Sequence, residues 1–344
     1  MIFVGDVAIA SSDHFKHESF PSSFRDVPIC LNLEGAVSES MVLPKRGLVN
    51  QSAWLQSFEG LQLGPVFIGN NHIQDIPNGI TRTKRFLASV SLKSFGAGEF
   101  MADAEAWAIE GEHILLGFGW PVIGCIPASC SRGGVNRLEG QSVVRQVTAA
   151  LKKHSDKKIV VIFHGNYEFE LYPQPGHRAL ALSLIDLGVY AVIGHHPHIV
   201  GPVERYQGRT IAYSLGNWAF SYGRFFEGRL RFPESSFNQI ALQLTAEGDL
   251  VHHVKYSPPE QIVYQNTESV LDAEFSLRPP VEGLGREEYV DWFKINRHKK
   301  IFLPIYRNSE SGLENSVKDT WVFVRQQIIH FAVRMKIKSM SRGG

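Results

Sequence analysis

The chain has 344 residues, 44% hydrophobic and 20% charged, with 35 Lys and Arg against 34 Asp and Glu. The apolar share is enough for a large core, while a net charge of +1 excludes the broad basic field of a nucleic-acid-binding protein. No stretch approaches the roughly 18–20 apolar residues of a spanning helix, three cysteines (Cys30, Cys125, Cys130) are too few for a disulfide framework, and no secretory leader is visible, so a soluble cytoplasmic protein is expected.

Short apolar runs of strand length recur, each followed by polar or ionisable residues. Ile2-Phe3-Val4 ends at Gly5-Asp6, and Val27-Pro28-Ile29-Cys30-Leu31 ends at Asn32-Leu33-Glu34. Pro65-Val66-Phe67-Ile68 ends at Gly69-Asn70-Asn71-His72. A helix is expected over Thr81 to Leu92, then a hairpin within 108–120 around Glu110-Gly111-Glu112. A second helix, Gln141 to His154, carries Val143, Val144, Val147, Ala150 and Leu151 on one face. Ile159 to Phe163 runs into His164. The helix His177 to Leu187 is stopped by Gly188 in the manner of a C-cap. The run ending at Ile193 leads into Gly194-His195-His196-Pro197-His198. Strand patterns return at 209–220 and 237–256, with a turn at Glu247-Gly248-Asp249. Strands alternating with helices predict a layered α/β fold. From 257 the strand patterns fade and prolines punctuate the chain, so 1–256 reads as the main domain and 257–344 as a mostly helical extension.

If the strands lie in one sheet and point the same way, Asp6, Glu34, Asn71, His72, His164, His196 and His198 converge at one edge. Open α/β sheets place their sites there. Two carboxylates, an amide oxygen and several imidazoles suit divalent transition ions. Each residue alone has an ordinary reading: Asp6 as a turn cap, Glu34 as a surface carboxylate, Asn70-Asn71 as a turn pair, His164 as a core histidine. Asp75 either orients His72 or caps the following helix.

The string Gly5-Asp6, Asn32-Leu33-Glu34, Asn70-Asn71-His72 with Asp75, His164 with Glu168, Gly194-His195-His196-Pro197-His198 and Tyr213-Ser214-Leu215-Gly216-Asn217 resembles the bacterial capsule-synthesis CapA family over roughly 1–255. The resemblance implies a calcineurin-like metallophosphoesterase fold, a β-sandwich flanked by helices. It implies Asp6, Glu34, Asn71, His164, His196 and His198 as ligands of two divalent metals (Mn, Fe or Zn), with Glu34 bridging. His72 becomes the general acid; by position Asp75, three residues on, can hydrogen-bond it, and Glu168, four residues past His164, reads as a base, a residue that orients a ligand, or a solvated loop carboxylate. Asn217 and His195 are expected at the substrate. The chain departs from the pattern twice. Ala8 stands where the first motif has a histidine, and His164-Gly165-Asn166-Tyr167-Glu168 lacks the usual tryptophan.

The function expected from these residues is metal-dependent hydrolysis in synthesis of a capsule or surface polymer, with activated water attacking a phosphoester or a γ-glutamyl amide. The alternative is a non-catalytic accessory subunit of a polymer synthesis or export complex. A closed structural zinc site fits less well, since such sites favour cysteine. The segment 321–338 is apolar yet carries Arg325, Arg334, Lys336 and Lys338. It reads as a docked C-terminal helix or as an interfacial helix that would place the protein at the inner face of a membrane.

Overall fold

The computed structural model describes residues 1–10, 13–38, 44, 47–298 and 302–334, with side chains to Ile329 in the last helix. Two large sheets carry the fold. The first runs, edge to edge, Lys16–Glu18, Gln261–Ser269, Leu250–Ser257, Asn238–Gln243, Ile2–Ala8, Ile29–Leu33, Leu63–Phe67 and Ser94–Phe95, and Asn217–Phe220 also pairs with Ile2–Ala8. The second runs Val203–Tyr206, Arg209–Ala212, Ala191–His195, Lys158–His164, His113–Gly119 and Ala108–Glu110.

The period-2 alternation of these strands builds the layers. Phe3, Cys30, Phe67 and Phe95 of the first sheet meet Leu115, Val160, Ile162, Ala191 and Ile193 of the second in one buried layer. The alternate residues Ile114, Leu116, Ile159 and Val161 belong to another core cluster, shared with Val143, Val147, Leu180 and Leu184 of the helices Gly140–Lys153 and Pro175–Asp186. Each buried valine contributes about 1.5–3 kcal/mol. The Glu139 side chain caps the first of these helices by accepting from Ser142 N–H at 3.2 Å. The result is an α/β fold of stacked sheets with helices outside.

Several sequence expectations shift. The site strands divide between two sheets instead of sharing one edge. The first strand does not stop at Gly5-Asp6: Ile2–Ala8 is buried throughout, with Asp6 inside it. Arg209–Ala212 and Asn217–Phe220 lie in different sheets. Strand structure also continues past 257, because Gln261–Ser269 pairs antiparallel with Leu250–Ser257 across a tight hairpin. The last helix starts at Leu313, well before Trp321.

A buried ion pair ties the C-terminal part to the sheets. Arg178 reaches Glu204 through Nε at 3.0 Å and Nη2 at 2.6 Å, and both residues are buried. The same guanidinium donates to the carbonyls of Leu284 (3.1 Å) and Val281 (3.3 Å), and lies 4.7 Å from the Tyr289 ring centroid.

Candidate metal centre

Strand register brings the polar residues together. Asp6 stands beside Asn32 on one flank and Asn217 on the other. The neighbouring glycines are required by close approach. A Cβ at Gly5 would meet the Gly216 carbonyl oxygen at 2.2 Å, and one at Gly194 would meet that of Tyr213 at 2.0 Å.

Asp6 is buried and surrounded by donors. Its Oδ1 accepts from Asn32 Nδ2 at 2.8 Å and from His195 Nδ1 at 2.9 Å, and its Oδ2 from the His196 backbone N–H at 3.2 Å. His198 Nδ1 lies 3.4 Å from Oδ2. Burial pushes the Asp6 pKa up. The hydrogen bond and charge of His195, with the charges of His198 and His164, outweigh it and hold the carboxyl well below its usual range. Asp6 is thus an ionised anchor with most of its acceptor capacity used.

Glu34 is the opposite case. It is wholly buried, and neither carboxylate oxygen has a hydrogen-bond partner. Burial, then the charges of Asp6, Glu168 and Asp75, raise its pKa well above the ordinary value. Oε1 lies 3.7 Å from His198 Nε2 and 3.9 Å from His72 Nε2. His198 Nδ1 donates to Asn217 Oδ1 at 2.8 Å, which aims Nε2 at Glu34. His196 Nδ1 is likewise buried without a partner, and burial first, then nearby histidines, lowers its pKa. Among the described residues, Glu34, His196 and His198 are the one group of His, Cys, Asp or Glu side chains whose ligand atoms converge within 4.8 Å. Oxygen and imidazole donors at that spacing fit a divalent transition ion. His196 and His198 hold left-handed backbone angles, φ +95° and +57°.

The other expected residues gather around this trio. His164 Nδ1 faces Asn32 Nδ2 at 3.2 Å and its Nε2 faces Asn71 Oδ1 at 2.7 Å. Asn32 must turn its amide N–H toward the ionised Asp6, so His164 accepts at Nδ1 and donates at Nε2 to Asn71. Both nitrogens are occupied. His72 Nδ1 lies 2.7 Å from Asp75 Oδ2, which also accepts from Leu48 N–H at 2.8 Å. Asp75 therefore orients His72, and the helix Gly79–Ser89 starts without it. Glu168 is exposed, near enough for its charge to act on Glu34. The two residues expected at the substrate are sealed inside. Asn217 spends its amide on His198 and on Tyr222 Oη (3.1 Å), and His195 is held by Asp6.

Sequence reading missed three asparagines. Asn70 donates to Asn32 Oδ1 at 3.1 Å and to the Leu33 carbonyl at 2.8 Å. Asn50 donates to the Glu34 carbonyl at 2.8 Å and accepts from Ile9 N–H at 2.8 Å. Asn32 joins Asp6 to His164. Asn32 and Asn70 were visible within quoted motifs, but nothing in the sequence marks Asn50. Ala8 lies in an apolar cluster with Leu48, Phe220 and Phe225, so the place of the absent histidine is filled by hydrocarbon.

Two sheets meeting at a buried carboxylate–imidazole centre define an α/β protein with a candidate metal site. Residues 1–222 match the family described as bacterial capsule synthesis protein PGA_cap, and the chain belongs to that family. It is 33% identical over 160 residues to the PGA biosynthesis protein CapA of Bacillus subtilis (strain 168), covering 45% of this chain and 42% of that one. It is 29% identical over 171 residues to a probable polyglutamine synthesis accessory protein of Mycobacterium tuberculosis, covering 45% and 44%. The chain therefore spans less than half the length of these curated relatives. A hypothetical protein from Thermus thermophilus superposes with a TM-score of 0.40 at 14% identity, over 78% of this chain and 98% of that one, too distantly to carry an argument.

Proposed function

We propose that this protein is a metal-dependent hydrolase serving synthesis of a capsule or related surface polymer, and that it uses a single cation site built by Glu34, His196 and His198. The observation that carries the reading is the buried, partnerless Glu34 carboxyl facing two imidazoles. A buried polar group without a partner costs about 1–3 kcal/mol, and a cation removes that cost. Ala8 and the committed nitrogens of His164 favour one site over two.

A divalent cation supplies Lewis acidity and lowers the pKa of water. The chain's own residues do the rest. Asp6 fixes His195 and the His196 backbone, and Asn217 fixes His198. His72 is part-exposed and its Nδ1 is held by Asp75, so Nε2 is left to deliver a proton to a leaving group, with Asp75 stabilising the imidazolium. Phe169, whose ring centroid is 6.5 Å from that of His198, also lines a groove of about 930 Å³ with Asn238, His253, Lys255 and Gln265. That groove flanks the candidate site, and Glu34, His72, His196 and His198 are not among its lining residues.

Metal analysis after offering Mn, Fe and Zn, joined to turnover of bis-p-nitrophenyl phosphate and γ-glutamyl-p-nitroanilide, tests the reading. The wild type should hold near one equivalent and turn over one substrate, and His198→Ala should lose the metal. His72→Ala should keep the metal and lose about 10²-fold or more in rate. A protein that stays metal-free and inactive overturns the proposal in favour of an accessory subunit, the role named for the mycobacterial relative.

A further inference from the structure

The last helix, Leu313–Arg334, is built inside out. A helix on a protein surface normally turns an apolar stripe inward and polar residues to water. Here the inward contacts are largely polar. Asn315 is buried, its Nδ2 donating to the carbonyls of Asn308 (3.3 Å) and Glu310 (2.8 Å). Asp319 accepts from Tyr306 Oη at 2.8 Å, and Val322 is the buried apolar contact. The outward stripe is Leu313, Val317, Trp321, Val324 and Ile328, spaced to lie on one helix face. These side chains are between 42% and 85% exposed. Phe323 (60%) and Phe302 (71%) widen the patch, and Trp321 Nε1 donates to the Phe302 carbonyl at 2.7 Å, joining the two segments. A contiguous apolar surface of this kind marks an interaction site.

Charge identifies the partner. From Leu313 to Gly344 the sequence has six Lys or Arg (Lys318, Arg325, Arg334, Lys336, Lys338, Arg342) against two acidic residues, Glu314 and Asp319, both in the first two turns, and Lys299-Lys300 stand just before Phe302. Apolar and aromatic residues on one helix face, followed in the sequence by basic residues, match the boundary of an anionic bilayer, where rings enter the headgroup region and cations meet lipid phosphates. Among the described residues no helix is long and apolar enough to cross a membrane.

We propose that the outward apolar face of the helix Leu313–Arg334, together with the basic residues that follow it in the sequence, docks this protein on an anionic lipid bilayer. The proposal is independent of the metal reading. Flotation of the full chain with phosphatidylcholine vesicles, with and without 30% phosphatidylglycerol, tests it, with light scattering to fix the oligomeric state. The wild type should bind the anionic vesicles at least 10-fold more tightly than the neutral ones and should be released by high salt. Val317→Glu/Ile328→Glu, at two exposed positions, should lower that binding at least 10-fold while circular dichroism stays unchanged. Lys336→Glu/Lys338→Glu should do so without touching the apolar stripe. Absent or charge-indifferent binding overturns the proposal. So does a wild-type dimer that Val317→Glu/Ile328→Glu dissociates, which would assign the face to a second copy of the chain.

Discussion

Replacing Glu34 by methionine should make the metal-free protein more stable and the cation-loaded protein less stable. Methionine keeps the unbranched length of glutamate and removes both oxygens. Glu34 is fully buried, those oxygens have no partners, and burial, then the charges of Asp6, Glu168 and Asp75, push its pKa well above the ordinary value. Relieving an unpaired buried carboxyl is worth about 1–3 kcal/mol, against which imperfect packing of a near-isosteric residue costs under about 1.5 kcal/mol. The net expectation in chelator is a gain of about 1 kcal/mol. With a cation at about 100 times its Kd the wild type gains about 2.7 kcal/mol by mass action, and the variant, lacking its carboxylate ligand, gains essentially nothing. The stability order reverses. Equilibrium urea unfolding, with EDTA and then with the cation found by metal analysis, reads both arms. A Glu34→Met protein less stable than wild type in EDTA would refute the argument from unpaired oxygens. An equal cation gain in both proteins would remove Glu34 from the ligand set.

Two further outcomes follow from buried groups away from the centre. Arg178→Met should cost about 3–5 kcal/mol, because Glu204 is left buried and uncompensated, whereas Arg178→Met/Glu204→Leu should recover most of that loss. Limited proteolysis should cut faster around Val281 and Leu284 in the single variant, and a loss under about 1 kcal/mol would show that the pair is solvated. Burial pushes His177 down to about 3, below the ordinary histidine value of the unfolded chain. The unfolded chain therefore binds one more proton between about pH 3 and 6.5. The contribution of a neutral His177 is full above that window and lost as pH falls through it, at up to about 1.4 kcal/mol per pH unit. His177→Gln should flatten the unfolding free energy against pH in that range, and an unchanged slope would sink the assignment.

What could be seen in the sequence was set by local chemistry. Ligand-type residues stand directly after β-branched runs, so Asp6, Glu34, His72, His164, His196 and His198 were visible as a set, and the helices at Gly140–Lys153 and Pro175–Asp186 announce themselves by apolar period and by Gly188. The partition of strands into two sheets was not, because it depends on which distant strands pair. Gln261–Ser269 was hidden by its polar residues, several of them exposed, and gains its strand character from its neighbours Leu250–Ser257 and Lys16–Glu18. The hydrogen-bond partners of Asp6 and Asn217 also lay beyond sequence. Both have metal- or substrate-type side chains, and only the structure shows the donors gathered on Asp6 and the contact of Asn217 with His198. The absence of a histidine at Ala8 was legible, and the apolar filling of that space was not.

The left-handed angles at His196 and His198 carry a consequence for how the His-His-Pro-His segment should be regarded. Each costs on the order of 1–3 kcal/mol in a residue with a side chain, and persists only where its surroundings dictate it. Here the dictating contacts come from far away in the chain: Asp6 on the His196 amide, Asn217 on the His198 ring, and Phe169, whose amide donates to the Pro197 carbonyl at 2.8 Å. A free peptide of the same sequence would relax to other conformers and lose the convergence of its imidazoles. Transplanting the segment onto another scaffold would carry the histidines without the geometry, so the motif acquires its meaning from the two sheets that bend it.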